Sequence, residues 1–213
     1  DAVKRCVLAT AQLSRAGDFR PAQSEKTFED YQIKLSNGRT LVLRGKIDRI
    51  DTANIDNKEC AVIFDYKLHG RTYGWAEFYH GLDMQLVIYM LAVSKNNRLE
   101  PVGAFYIPIE VSVSEKPEYA YKAKGIFNGE FYNRIDTQSD SGFSRFYNFR
   151  VSKEHKQYGD YGRSGALKID DFEKVLDFGK KKITELSEQI VLGKIDVSPY
   201  RLNTKVPCSF CRY

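Results

Sequence analysis

The chain has 213 residues, 42% of them hydrophobic and 29% charged, with 33 basic against 28 acidic side chains and a formal charge of +5. This is the composition of an ordinary globular protein, of a length that suits one large domain or two small ones. No apolar run approaches the roughly 20 residues that cross a bilayer, and no signal peptide is visible; the charge permits a nucleic-acid partner without specifying one.

In chain order, residues 2–16 carry a helical apolar pattern (Val3, Val7, Leu8, Ala11) that ends at Gly17. Residues 27–35 alternate as a strand, and Asn37-Gly38 supplies a turn into a second strand over 41–51. Asp56-Asn57 marks the next hairpin, followed by a continuous apolar run at 60–64 that suits a central strand buried on both faces. A Gly- and aromatic-rich loop at 68–80 leads into one helix that begins near Ala76 or Glu77 and runs past Val93. Residues 101–113 are again strand-like. The order of helix, three strands, helix and strand (αβββαβ) predicts a mixed central sheet flanked by helices.

Beyond residue 113 the texture changes. Tyrosines and phenylalanines are interleaved with Lys, Arg and Gly through about 167. Such a segment is either an added hairpin covering the core or a surface that stacks on single-stranded bases; the first is the commoner case. Residues 159–165 read as a surface loop, and 169–192 as a long amphipathic helix in which Lys180, Lys181 and Lys182 form a solvated face. The tail carries Cys208 and Cys211 at metal-ligand spacing, and two thiolates need two further ligands. Of the other cysteines, Cys60 begins the buried strand as a core thiol and Cys6 is a weak ligand candidate; no regular disulfide framework is present.

The chemistry concentrates between Gly45 and Tyr89, in G-K-I-D-R-I-D, F-D-Y-K and Q-L-V-I-Y. Alternation along a strand puts Asp65 and Lys67 on one side. A hairpin turning at Asp56-Asn57 sets Asp48 roughly opposite Asp65, so two carboxylates converge beside one ammonium group. Hard cations such as Mg²⁺ take one or two carboxylates, waters and substrate phosphate. Taken alone, a D-x-K triplet is more often a structural ion pair; the longer constellation reverses that preference. Gln85 and Tyr89, four residues apart, share a helix face, where they either contact substrate or sit at a helix–sheet boundary. Glu25 stands just before the first strand as a possible third acidic neighbour, with a solvated glutamate as the plainer reading.

These segments, with E-K-T-F at Glu25, S-G-A-L-K before the last helix and the S-P-Y-R-L-N…P-C-S-F-C-R-Y ending, resemble the C-terminal nuclease domains of AddB/RexB-type proteins. Those domains form part of the RecB-like branch of the PD-(D/E)xK phosphodiesterases. The resemblance covers nearly all of 21–213 and implies one restriction-endonuclease-like α/β domain, a fragment of a larger protein. Its core would span about 1–113, an aromatic-rich insertion 114–167, and a C-terminal helix with a partial Cys motif 168–213.

The resemblance further implies that Asp48, Asp65 and the main-chain carbonyl of Tyr66 bind Mg²⁺ or Mn²⁺, and that Lys67 acts on the nucleophilic water. Gln85 and Tyr89 match a Q-x-x-x-Y element that shapes the site and guides DNA; Glu25 matches a recurrent acidic position. Cys208 and Cys211 correspond to two of four ligands of a [4Fe–4S] cluster, the others lying outside this chain. The implied setting is bacterial and cytoplasmic: single-stranded or helicase-unwound DNA as substrate, an AddA-type helicase–nuclease as partner, and double-strand-break repair as the process. The sequence departs from the pattern in D-Y-K-L-H-G, where D-Y-K-S-G is usual, and in lacking an upstream histidine, since His69, His80 and His155 all follow the D-x-K. The rival readings are a nuclease-fold binding module without activity and a stand-alone RecB-like exonuclease of the CRISPR-associated kind.

Overall fold

The computed structural model describes residues 2–96, 99–111, 120–154, 157–159, 164–194, 196, 199–202 and 205–210. Three strands form a meander: β1 (Arg20–Lys34), β2 (Thr40–Ile55) and β3 (Lys58–His69). Asp56 and Asn57 take positive φ (51° and 62°) between the paired Ile55 and Lys58. That is the two-residue hairpin whose twist matches its strands, at the turn the sequence marks. β4 (Glu100–Glu110) lies parallel to β3, and β5 (Lys124–Asn128) antiparallel to β4. The short strands β6 (Gly142–Phe143) and β7 (Arg150–Val151) make a separate ladder, while β8 (Ala166–Leu167) closes the main sheet in the order β1-β2-β3-β4-β5-β8.

Burial explains why β3 is central. Ala61 and Ile63 enter one core, Val62 and Phe64 the other, and all four have 0% exposure. An uninterrupted apolar strand needs cover on both sides. On the Ile63 side lie α3 (Gln85–Asn96) and α5 (Ile169–Val191), through Leu86, Val87, Met90, Phe172 and Ile183. On the Phe64 side lies α1 (Ala2–Leu13), with the aromatic residues that follow β4. α1 buries Cys6 and Leu13 and leaves Val3, Val7 and Leu8 exposed, so the face that packs is not the stripe its periodicity marks. Arg49 clamps Asp51 through two short bonds (2.6 and 2.5 Å) and reaches Ser14 Oγ just beyond α1. Burial raises the Asp51 pKa, and the Arg49 guanidinium opposes that shift.

One expectation changes. The single helix expected past Ala76 is two: α2 (Trp75–Tyr79) and α3. Gly81 has φ of 75°, its N–H bonds to Phe78 O and the Leu82 N–H to Glu77 O. These two bonds with a left-handed glycine are a Schellman stop, which lets α3 restart in a new direction at Gln85. The aromatic-rich segment is built onto the core and supplies sheet edge strands. Tyr147 packs edge-on to Phe105, Phe127 on Phe149, and all four are buried, whereas Phe143 is exposed. Most of its rings are therefore core rather than a stacking surface. The loop residues 160–163 and Cys211 lie outside the described residues.

Candidate active site

The β2–β3 ladder pairs Arg49 with Phe64 and Ile50 with Ile63, so one further step puts Asp48 across from Asp65. Both belong to the face that α3 covers, because Ile50 and Ile63, two residues away on each strand, pack into the core below α3. The Tyr66 N–H donates to Asp48 Oδ2 at 2.8 Å, fixing that carboxylate to the peptide between Asp65 and Lys67.

Gln85, the first residue of α3, joins the remaining groups. Its amide nitrogen donates to Asp65 Oδ1 (2.7 Å) and to Tyr89 Oη (2.9 Å), while its carbonyl oxygen accepts from Lys67 Nζ (2.8 Å). Using both ends of the amide fixes its orientation. Tyr89 lies one turn along α3 and stacks edge-on against Phe28. The structure thus brings Asp48, Asp65, Tyr66, Lys67, Gln85 and Tyr89 into one place.

Asp65 is only 3% exposed. Its Oδ2 is buried and lacks a well-aligned donor; its neighbour is the Lys67 ammonium at 2.5 Å. Burial raises the Asp65 pKa above the usual carboxylate range. Lys67 and, more weakly, Arg71 oppose that shift, and the like charge of Asp48 adds to it. A buried carboxylate oxygen so placed, beside a second carboxylate in an all-oxygen donor set, fits a hard divalent cation. Among the described residues no cluster of three or more His, Cys, Asp or Glu side chains is assembled. Two carboxylates are therefore what the side chains of this site offer a cation.

Glu25 is placed at the rim. The ladder pairs Ser24 with Arg49 and Lys26 with Ile47, bracketing Asp48. Glu25 takes a left-handed backbone (φ 53°) and its carboxylate pairs with Lys46. The Glu25 contact raises the Lys46 pKa, with a smaller contribution from Asp48, so the Glu25–Lys46 pair borders the carboxylates without joining them.

Three residues were missed. Tyr106 pairs across the sheet with Asp65, and its ring lies 5.3 Å from both Lys67 Nζ and the Arg71 guanidinium. Its hydroxyl donates to Asp83 Oδ1 (2.8 Å), and Asp83 Oδ2 pairs with Arg71 at 2.9 Å. Asp83 is 5% exposed, and Arg71 is exposed. The buried acid holds an exposed cation near enough to Asp65 to lower its pKa slightly. Asp83 stands just before the apolar run of α3, an expensive place for a carboxylate, and that was the signal available.

Of the cysteines, Cys60 is a core thiol as expected. Cys6 is buried with its thiol donating to Pro108 O at 3.6 Å, which removes it from any ligand set. Cys208 is exposed in the short 3₁₀ turn Pro207–Phe210.

A mixed sheet carrying Asp48, Asp65 and Lys67 on adjacent strands has the arrangement of a PD-(D/E)XK nuclease. The family model described as the PD-(D/E)XK nuclease superfamily matches residues 1–213, and the chain belongs to that superfamily. It is 27% identical to the B-type component of the ATP-dependent helicase/deoxyribonuclease of Lysinibacillus sphaericus over 99% of this chain and 20% of that protein. It is 28% identical to the protein of the same name from Clostridium tetani and 26% identical to that from Listeria welshimeri, again over 99% of this chain and 20% of each relative. The chain thus spans about a fifth of the length of these relatives.

Proposed function

We propose that this domain hydrolyses DNA phosphodiesters with a divalent cation, Mg²⁺ or Mn²⁺, held by Asp48, Asp65 and the carbonyl of Tyr66. The observation that carries the reading is the buried Asp65 carboxylate joined through Gln85 to Lys67, with Asp48 beside it. When bound, such a cation supplies charge stabilisation for the phosphoryl group and lowers the pKa of water. The chain's own residues do the rest. Gln85 holds the free ends of Asp65 and Lys67 in fixed relation. With Asp65 engaged by a cation, Lys67 keeps Gln85 as acceptor and presents its remaining N–H donors to the attacking water and the developing charge on phosphate. Arg71 offers a second cation from the same side.

By similarity to its relatives, the domain works as the nuclease part of the B-type component of a helicase–nuclease. It would degrade strands exonucleolytically as they are unwound during double-strand-break processing, in a bacterial cytoplasm and alongside an AddA-type partner. No helix is long and apolar enough to cross a membrane. Cys208 and Cys211 would contribute two ligands to a [4Fe–4S] cluster in the longer protein. Two thiolates do not hold such a cluster, so no step of hydrolysis is assigned to it.

The test is Mg²⁺-dependent cleavage of end-labelled single-stranded DNA. Wild type should cleave and lose all activity in EDTA, while Lys67→Ala and Asp65→Ala should each lower kcat by about 10²–10³-fold or more. DNA binding with no cleavage in Mg²⁺ or Mn²⁺ would favour an inactive nuclease-fold binding module.

A further inference from the structure

A cleft of about 450 Å³ opens beside the candidate active site, between the loop that follows β3 and the start of β5. Thr72, Tyr73 and Trp75 form one wall; Lys122, Lys124 and Phe143 line the other, and among the described residues no carboxylate lines it. The sheet register connects it to the catalytic groups. Asp65 pairs with Tyr106, and Tyr106 with Lys124, so the three lie in one row on one face. At a strand spacing of about 4.8 Å, Lys124 stands about 10 Å from Asp65. Arg71 belongs to the loop that forms the first wall, and its guanidinium lies over Tyr106, the middle residue of that row.

The cleft offers two chemistries. Lys122 and Lys124 are half-buried neighbours. Burial lowers the Lys122 pKa and the adjacent Lys124 lowers it further, with Asp136 in opposition, so the pair carries a like-charge cost that an anion relieves. Trp75 is held edge-to-face by Tyr73 and Phe78 yet is 38% exposed, and Phe143 is 64% exposed. Basic groups along a groove with aromatic rings at its sides are what an unpaired strand uses, phosphates on the cations and bases on the rings. A duplex keeps its base faces stacked inside and has none to offer Trp75 or Phe143.

We infer that this cleft carries the single-stranded DNA flanking the scissile phosphate, with Lys122 and Lys124 on its phosphates and Trp75 and Phe143 on its bases. The inference rests on the nuclease reading and assigns the strand a path and residues. It gives the lysine pair and the exposed rings one common use.

Trp75 is the only tryptophan of the chain, so its emission reports on the cleft directly. In EDTA, where no hydrolysis occurs, oligo(dT) should quench it saturably, with a blunt duplex of equal length giving far less quenching. Lys122→Ala/Lys124→Ala should weaken binding at least tenfold and reduce the slope of log K against log salt by about 1.4, two single-strand phosphate contacts. Phe143→Ala, at an exposed position, should weaken binding several-fold without altering the unfolding transition. Lys181→Ala, on the exposed face of α5, serves as the control. Oligonucleotide binding seen by anisotropy with Trp75 emission unmoved, or undiminished in the lysine double variant, overturns the inference while leaving the nuclease reading standing. Equal quenching by duplex overturns the preference for an unpaired strand. Neither binding nor cleavage by the wild-type chain overturns both.

Discussion

Asp65 is held where a carboxylate is costly. Its pKa is raised mainly by burial, beyond what Lys67 recovers, so the folded state binds this proton more tightly than the unfolded chain does. Ionisation of Asp65 therefore subtracts stability. The loss is absent below the unfolded carboxyl pKa and complete above the folded one. In the absence of divalent cation, Asp65→Asn should unfold at a higher temperature than wild type at pH 8, with the gap closing as pH falls toward 4. Thermal melts across that range check the sign; a variant less stable than wild type at pH 8 would contradict it. Such a site gives up stability for function. Gln85 is the complementary case, since it touches both Asp65 and Lys67. Gln85→Leu should cost about 10–100-fold in kcat, as does loss of a group that orients metal ligands. Single-turnover rates at saturating Mg²⁺ separate that loss from weakened metal binding.

At the scale of elements, the site depends on where α3 begins. The Schellman stop at Gly81 ends α2 and lets Gln85 open the next helix over the carboxylates. Gly81→Ala forces a left-handed alanine, at about 1–2 kcal/mol, and brings its Cβ within 2.8 Å of Leu186 Cδ1. A loss of unfolding free energy of that size is expected from urea denaturation, and an unchanged midpoint would show that the stop is not needed. This break is also where sequence reasoning fell short. The apolar pattern runs through residues 82–93 without a gap, so periodicity alone reads one helix; the H-G-L step was the local signal against it. Asp48, Asp65 and Lys67 were legible because strand alternation and a two-residue turn fix their faces without tertiary information. Asp83, Arg71 and Tyr106 were not, because their association crosses from a loop to β4, which no local spacing encodes.

For the whole molecule, the sheet provides the frame and the two cores pack it against helices on each side. β2, β3 and β4 present Asp48, Asp65 with Lys67, and Tyr106 at one end of that sheet, and β5 continues the row with Lys124. The proposed cation site and the proposed strand path are then parts of one surface. The fold class could be read from the order of elements; β5 and the edge strand β8 could not, since β8 is only two residues long and depends on β5 for its pairing. The account stands on the convergence of Asp48 and Asp65 as a cation site. The measurement that tests this most directly is calorimetric titration of Mn²⁺ into the wild-type domain and its Asp48→Asn, Asp65→Asn and Lys67→Ala variants. One Mn²⁺ per chain should bind to wild type, be lost in either Asn variant, and be kept in Lys67→Ala, where a competing cation has been removed from Asp65. Binding undiminished in both Asn variants would contradict the account.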